Sequence, residues 1–473
     1  MKLSYRSLAL LVTVLLVSSF NVVAFAGEIG LEEAIAVGLN HNSDILDLQD
    51  NLESIERELK QLKAEDNWQL DLTVDGYANE LNFDDESSDV EFSITGSRTY
   101  WWGLTLESEL YGAGNYSTEE ELSNDETGLK LSLSQNLYPS IPTEREQSYI
   151  NKELDLQVAQ KQLEEEKEAK IITWLGDYLN LLRLKEKQEL AVQQNELALN
   201  NFKEVSAKQE INEASEIDIL TAQIEVQQAQ YSLKEAANNY QQAKKSFYSQ
   251  LKLNIEDELL LNEDSDYLLM IKDLARAKEL DLENKSRLLD LGIANSVEIF
   301  ESCLEQQSKK DDLKWNKDDD KPDIDLTGSY DSNKQWGVGV SLSYNIFDSG
   351  KQRLTEEALQ AELATLKRKY DDLITDLSLE LDQLIDQLKL NENSLKAKEL
   401  SLAKASLEAK IAKEQLKRGL IDDFELKEKE LSLKEAKINY NGVEDSLLVN
   451  KLELIKFLGK VDFRGGNQIE KRD

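Results

Sequence analysis

The sequence predicts a mainly α-helical chain with a β-barrel portion. A helix–strands–long helix–helix unit occurs twice, so that an assembled barrel is continued by an α-helical coiled-coil tunnel. Three observations carry this. Only three prolines occur in 473 residues, Pro139, Pro142 and Pro322, each beside a strand region. Proline breaks helices, so the stretches without it permit very long ones. Through those stretches apolar residues recur in steps of three and four, the stripe of a coiled coil. Six other stretches alternate large apolar with small or polar residues at a period of two, as strands do.

Residues 1–26 read as a cleavable secretory signal peptide. Lys2 and Arg6 precede the apolar run Leu8 to Val17, and "AFA" stands before Gly27. The lone cysteine, Cys303, is far from that expected new terminus and leaves no internal disulfide. No later apolar run is long enough for a transmembrane helix. The 93 acidic residues against 55 basic ones argue against a nucleic-acid partner, whose phosphates they repel. They suit either heavily solvated helices or a conduit that favours cations.

The mature chain divides into two structural repeats. Residues 27–262 form the first, with strands within about 68–137 and long helices over 143–251. Residues 263–460 form the second, with strands within about 323–347 and long helices over 350–458, and 461–473 are a polar C-terminal tail. "AIAVGLNHNSDILDL" from Ala34 is set against "AKELDLENKSRLLDL" from Ala277, and "WQLDLTVDGY" from Trp68 against "PDIDLTGSY" from Pro322. "KQEINEASEIDIL" from Lys208 answers to "LKRGLIDDFELKE" from Leu416, with Asn212 opposite Gly419.

Each repeat opens on a helix, 31–66 in the first and 266–314 in the second, the latter with a break near Gly292. The long helices, 143–209 and 350–417, are each roughly 100 Å long at ~1.5 Å per residue, beyond any compact domain. Helices 31–66 and 215–251, stacked end to end, match one of them in length. At the turns that follow, Gly419 takes the left-handed conformation that ends a helix, and Asn212 is the next most tolerant residue. Ser215 and Asp422 then cap the next helices.

The alternating stretches are 68–76, 90–96, 100–110, 127–137, 323–330 and 336–346. One face is apolar and the other small or polar, which suits a one-sided soluble sheet or a membrane barrel with lipid outside and water inside. Aromatics favour the barrel: Trp68, Trp101, Trp102 and Trp336, with Tyr138, Tyr344 and Phe347 at strand ends, resemble a water–lipid girdle. Four to six strands fall short of the smallest single-chain barrel of about eight, so several chains must close one. The first repeat places 62 residues between Thr73 and Asn136, against 17 between Thr327 and Asn345 in the second. That surplus reads as two additional strands or as an elaborate external loop.

These pieces bear a resemblance to a known family. "LEEAIAVGLNHNSDIL", "SLSQNLYPS" and "ASEIDILTAQIEVQQAQ" in the first copy, followed by "SLSYNIFDSGKQR", "RGLIDDFELKEKELSLKEAKINY" and "KLELIKFLGK" in the second, are similar to the TolC-like outer-membrane efflux proteins over nearly the whole mature length. The resemblance implies a homotrimer that shares a β-barrel in the cell outer membrane, surrounded by lipid, with a helical tunnel across the periplasm. It implies a periplasmic adaptor (membrane fusion) protein and an inner-membrane pump or ABC transporter as partners, and export of small molecules or proteins.

Residue by residue, the family's adaptor-docking tip falls on Arg418, Gly419 and Leu420, and on Asn212 and Glu213 in the first copy, where the groove is altered. Its tunnel-mouth acidic ring falls on Glu425 and Glu428, with Asp218 at an acidic position of the first tip. The bulky polar partners that hold some members shut fall on Leu416 and Ile421, which cannot do that job. Tyr138 and Pro139, and Phe347, Asp348 and Gly350, look like the elbows where strands turn into tunnel wall. Asn136 and Asn345 stand where the family often has proline. Twelve strands per trimer is what the family implies, and eighteen follows if the surplus adds two strands per chain.

No catalytic, cofactor-binding or metal-ligating set is expected. His41 is the only histidine, Cys303 the only thiol, and no phosphate-binding loop occurs. The function read from the sequence is a passive outer-membrane exit duct of a tripartite efflux or type I secretion system. The alternative is a non-channel periplasmic or surface coiled-coil spacer or adhesin. The two part on extraction: a duct leaves envelope membranes only with detergent, whereas a spacer is released by salt or urea, as immunoblots of washed membranes will tell.

Overall fold

In a computed structural model the described residues are 28–79, 87–117, 120–254, 257–277, 281–333 and 335–459. The expected signal peptide and polar tail lie outside them. The first repeat runs β1 (Glu28–Ile29), α1 (Leu31–His41), α2 (Ser43–Ala64), β2 (Gln69–Asn79), β3 (Ser87–Thr99), β4 (Leu104–Ser117), β5 (Glu120–Tyr138), α3 (Glu144–Glu210) and α4 (Glu216–Leu251). After β6 (Glu258–Leu259) and α5 (Asp266–Ala277) come α6 (Lys285–Asn295), α7 (Val297–Asp319), β7 (Asp323–Asp331), β8 (Gln335–Ser343), α8 (Lys351–Lys417) and α9 (Asp423–Phe457).

Helices α3 and α8 are 67 residues each, about 100 Å of rod. Neither has one partner of its own length. Helices α2 and α4 together cover one flank of α3, α7 and α9 fill the space between α3 and α8, and the result is four helical columns side by side. Surface pairs such as Lys152–Glu58 (2.9 Å) and Lys317–Glu356 (3.1 Å) stitch the columns.

The core concentrates at the midpoints of the long helices, where two shorter partners meet. On α3, Trp174, Leu175 and Tyr178 are fully buried against Ile35 of α1, Phe247 and Leu251 of α4, and Leu268 and Ile271 of α5. The linker between repeats is pinned to this knot by two phenols. The Tyr178 hydroxyl donates to Leu260 O (2.8 Å) and accepts from Asn262 N–H (2.8 Å). The Tyr248 hydroxyl donates to Asp257 O (2.8 Å) and accepts from Leu259 N–H (3.0 Å). Strands β1 and β6 pair in parallel beside it. On α8 a second knot buries Leu381, Ile385 and Leu388 with Leu288, Leu454 and Leu458.

The structure corrects the opening helices and their alignment. The first is broken at Asn42, whose side chain accepts from Asp44 N–H (3.0 Å) and caps α2. In the second repeat the equivalent break is at Ser296, which accepts from Ile299 N–H (3.1 Å) and caps α7. Helices α1 and α6 are both 11 residues long, so Asn42 answers to Ser296 and Gly38 to Gly292. The pairing of Ala34 with Ala277 is therefore one of 11 residues' slip, three helical turns that return the same apolar face. The glycines share a purpose: a Cβ at Gly38 would lie 2.8 Å from the Trp174 ring, and one at Gly292 2.3 Å from the Phe457 ring.

One buried charge joins the repeats. Arg183 of α3 donates to Asp445 of α9 (2.7 Å), to Glu186 (2.7 Å) and to Glu263 of the linker. Burial pushes the Asp445 carboxyl up, against the pull of Arg183. Removing the arginine strands that carboxylate, so Arg183→Met costs about 3–5 kcal/mol. Trp174→Ala, which empties the first knot, costs a similar ~3–5 kcal/mol. Denaturant unfolding of the detergent-solubilised protein, followed by near-ultraviolet circular dichroism, checks both.

Candidate functional site

The six strands β2–β5, β7 and β8 form one antiparallel sheet in the order β2-β3-β4-β5-β7-β8. Their registers put the alternation of every strand in phase. Leu72, Ile94, Leu110 and Leu129 stand in one cross-strand row. Leu131, Tyr330 and Trp336 continue that face. One residue along, Asp71, Thr95, Glu109, Lys130, Asp331 and Gln335 form a row on the opposite face. Lys130 is the only cation on that polar face among the described residues, and it pairs with Glu109 (3.7 Å). The apolar face has no helix over it: Leu70 and Trp336 are each 78 % exposed.

The sheet therefore includes the surplus of the first repeat as two full strands, β3 and β4. Their connecting turn, 100–103, returns to the helix end and is docked there. Arg145 in the first turn of α3 donates to Glu65 O (2.7 Å) and to Thr99 O (2.6 Å), and pairs with Asp66 (3.5 Å). Trp101 of the turn meets Tyr149 of α3 edge-on at 5.1 Å, and Gln135 donates to Trp102 O (2.9 Å). This corrects the placement of Trp101 and Trp102 in a strand; β4 begins only at Leu104. Of the aromatics expected within strands, Trp336 alone of the four tryptophans lies in one, paired with Tyr330 at the far end. Trp68, Trp102, Tyr138, Tyr344 and Phe347 are exposed at the helix end.

The two elbows differ. Tyr138 is the last residue of β5, Pro139 after it is buried, and α3 starts at Glu144 with Thr143 accepting from Glu146 N–H (3.2 Å). In the second repeat β8 ends at Ser343, and Tyr344–Gly350 intervene before α8. There Asp348 accepts from the N–H of Gly350 (2.8 Å) and of Gln352 (2.6 Å), which hold its carboxyl below the usual range. Phe347 is almost wholly exposed.

The two tips are built alike. Asn212 takes φ +61° and Gly419 φ +70°. Glu213 N–H donates to Lys208 O (2.8 Å) and Leu420 N–H to Gln415 O (3.0 Å), the six-residue closure of a left-handed helix stop. Asp422 then accepts from Glu425 N–H (2.8 Å). Ser215 accepts from Asp218 N–H (3.2 Å), while the Asp218 carboxylate accepts from Ser215 N–H (2.8 Å) and from its hydroxyl (2.7 Å). These bonds hold the Asp218 carboxyl below its ordinary value. Asp218 thus closes a capping box, and α3 stands between its helix and that of Glu425 and Glu428. Those two are exposed, as are Arg418, Gly419 and Leu420.

Both outer columns leave apolar stripes open. Ile217, Leu220, Ile224 and Tyr231 line one side of α4, and Leu390, Leu400, Leu407 and Ile411 one side of α8, all more than half exposed. The contacts that sequence reading missed are Arg145 and Arg183. The signal for Arg183 was there, an arginine with leucines on both sides in "LNLLRLKEK".

The site is thus a layer of hundred-ångström helices continued by a two-faced antiparallel sheet. Residues 288–460 match the model of the outer membrane efflux protein family. No curated protein matches the sequence. Among solved structures, CusC, described for folding and transmembrane channel formation, is 13 % identical with a TM-score of 0.63, over 90 % of this chain and 91 % of that one. The CmeC outer membrane channel of Campylobacter jejuni is 15 % identical, TM-score 0.62, over 93 % and 87 %. The open state of the MtrE outer membrane channel of Neisseria gonorrhoeae is 14 % identical, TM-score 0.59, over 93 % of each. At such identities the structures speak for the fold. The family match covers the second repeat, residues 288–460, and the fold of the described chain as a whole is that of these solved outer membrane channels.

The tips give a direct test. Asn212→Gly keeps or raises local stability, whereas Asn212→Val lowers it by about 1–2 kcal/mol, the cost of a left-handed backbone for a bulky residue. The lowered Asp218 pKa means its share of the cap is fully present above the ordinary value of 3.8 and is lost as pH falls through the lower folded value. Amide exchange of residues 208–222, followed across pH and variant, reads both effects.

Proposed function

We propose that the protein is a passive exit duct of a tripartite efflux or type I secretion apparatus, working as a homotrimer. One observation carries this reading: an open sheet with an apolar face and an acidic polar face runs into a helical layer whose two outer edges carry unpartnered apolar stripes. A closed ring of copies puts the stripe of α8 against that of α4 in the next copy. It also turns the apolar sheet face to lipid and the polar face to water. A spacer or adhesin leaves the exposed apolar face without a purpose.

The tips at Asn212–Glu213 and Arg418–Leu420 are then the surfaces for a periplasmic adaptor, and an inner-membrane pump or ABC transporter supplies the energy. Leu420 is an exposed apolar anchor in the second tip, and Glu213 puts a charge at the same place in the first. The adaptor accordingly reads two different surfaces. In a threefold ring, Glu425 and Glu428 place six carboxylates round the mouth and attract cations.

Conductance in planar lipid bilayers tests the duct. Discrete, cation-selective steps are expected from the purified protein, and Glu425→Ala with Glu428→Ala is expected to enlarge them and cut cation preference several-fold. Silence from wild type and double mutant alike, with insertion confirmed, overturns the proposal.

A further inference from the structure

The sheet of this protomer has a width that bears on the size of the pore. β3 and β4 are not an appendage at one end of the sheet. They sit between β2 and β5, pair with them along their length, and carry both alternating faces in phase with their neighbours. Phe92, Ile94 and Leu110 lie on the open apolar face, and Glu91, Thr95 and Glu109 on the acidic one. A loop outside the membrane has no reason to keep an apolar face in register with a lipid-facing one. The docking of the 100–103 turn beside Arg145 and Tyr149 shows that the hairpin spans the full height from the helix end.

The edges of the sheet are the outer sides of β2, of 11 residues, and β8, of 9. Six is an even number, so β8 runs antiparallel to β2, and the β8 edge of one copy meets the β2 edge of the next with antiparallel order and both faces preserved. The arcs agree as well. Six strands ~4.8 Å apart and tilted ~40° occupy about 38 Å of circumference, whereas four occupy only about 25 Å. Four helical columns at roughly 8–10 Å occupy about 32–40 Å. A six-stranded arc therefore continues the helical wall without a step in diameter.

We infer that each copy contributes six membrane-spanning strands, so that three copies close an eighteen-stranded barrel with a lipid-facing rim and an acidic lumen. This rests on the trimeric duct proposed above. Such a barrel has a backbone radius of roughly 18 Å, against about 12 Å for twelve strands at the same tilt, and a lumen about twice the cross-section. Its cargo is of a size class that includes bulky or partly folded molecules, with cations favoured.

The experiment uses the full chain in a Cys303→Ser background. An environment-sensitive fluorophore is attached at Ile94→Cys, Leu110→Cys or Val340→Cys, and the protein is reconstituted in phosphatidylcholine vesicles that carry nitroxides on the acyl chains. The expected result is quenching at Ile94 and Leu110 as strong as at Val340, little quenching at Thr95→Cys, and a native mass of three copies. Quenching at Val340 but not at Ile94 or Leu110 places the hairpin outside the barrel and overturns the inference while the duct stands. A mass of two copies gives twelve strands and overturns it as well. Absence of quenching at all three sites brings down the inference and the duct together.

Discussion

A helix of 67 residues has no compact solution and no partner of its own length to lie against, so each one here must be covered by two shorter helices laid end to end. Where those two meet, backbone ends and apolar side chains would both be open to water. The protein seals the seam with its largest buried side chains, Trp174, Tyr178 and Phe247 on α3 and α4, and a leucine cluster on α8. Everything else is arranged around these seals. The chain crosses from one repeat to the other there, held by two tyrosine hydroxyls, and the one buried arginine sits nearby. Away from the midpoints the rods are thinly held, by alanines such as Ala159 and Ala412 and by ion pairs in water. Exposed pairs contribute little each, and the apolar edges of the outer columns stay uncovered within the single chain.

The sheet answers a different constraint. A strand shows alternate residues to opposite sides, so a one-residue slip anywhere would turn leucines towards the polar face and carboxylates towards the apolar one. Six strands in phase make that error expensive across the whole surface. Asn136 adds a fixed point, its amide donating to Asp325 across the boundary between repeats (3.0 Å). Asn136 thus ties β5 to β7 near the helix end.

Much of this was legible in the sequence, because the signals are periodic. The step of three and four residues yields the long helices nearly to the residue, and the period of two yields all six strands. Asn212 reads correctly as a left-handed stop because few residues tolerate that backbone. The alignment of the opening helices failed for the same reason the helices were easy to find: a leucine pattern repeats itself after 11 residues. The caps at Asn42 and Ser296 break that ambiguity, yet each is a single polar residue inside an otherwise continuous helical pattern. Trp101 and Trp102 look like strand residues by composition, and only the three-dimensional contact with α3 makes them a turn. Asp218 reads as an acidic tip position only by resemblance, and its carboxylate accepts from Ser215, a use that spacing alone does not distinguish from exposure at a mouth.

The return of the 100–103 turn to the top of α3 has a consequence for how such a protein can change. A single added strand would leave the chain on the far side of the sheet, some tens of ångströms from the helix it must enter next, and would reverse the direction of every later strand. The smallest insertion that the architecture accepts is a hairpin. In a threefold assembly each such insertion widens the ring by six strands at once, so bore diameters available to this design form a ladder with wide rungs. A lineage that needs a slightly larger bore has to reach it by other means, such as strand tilt or side-chain size.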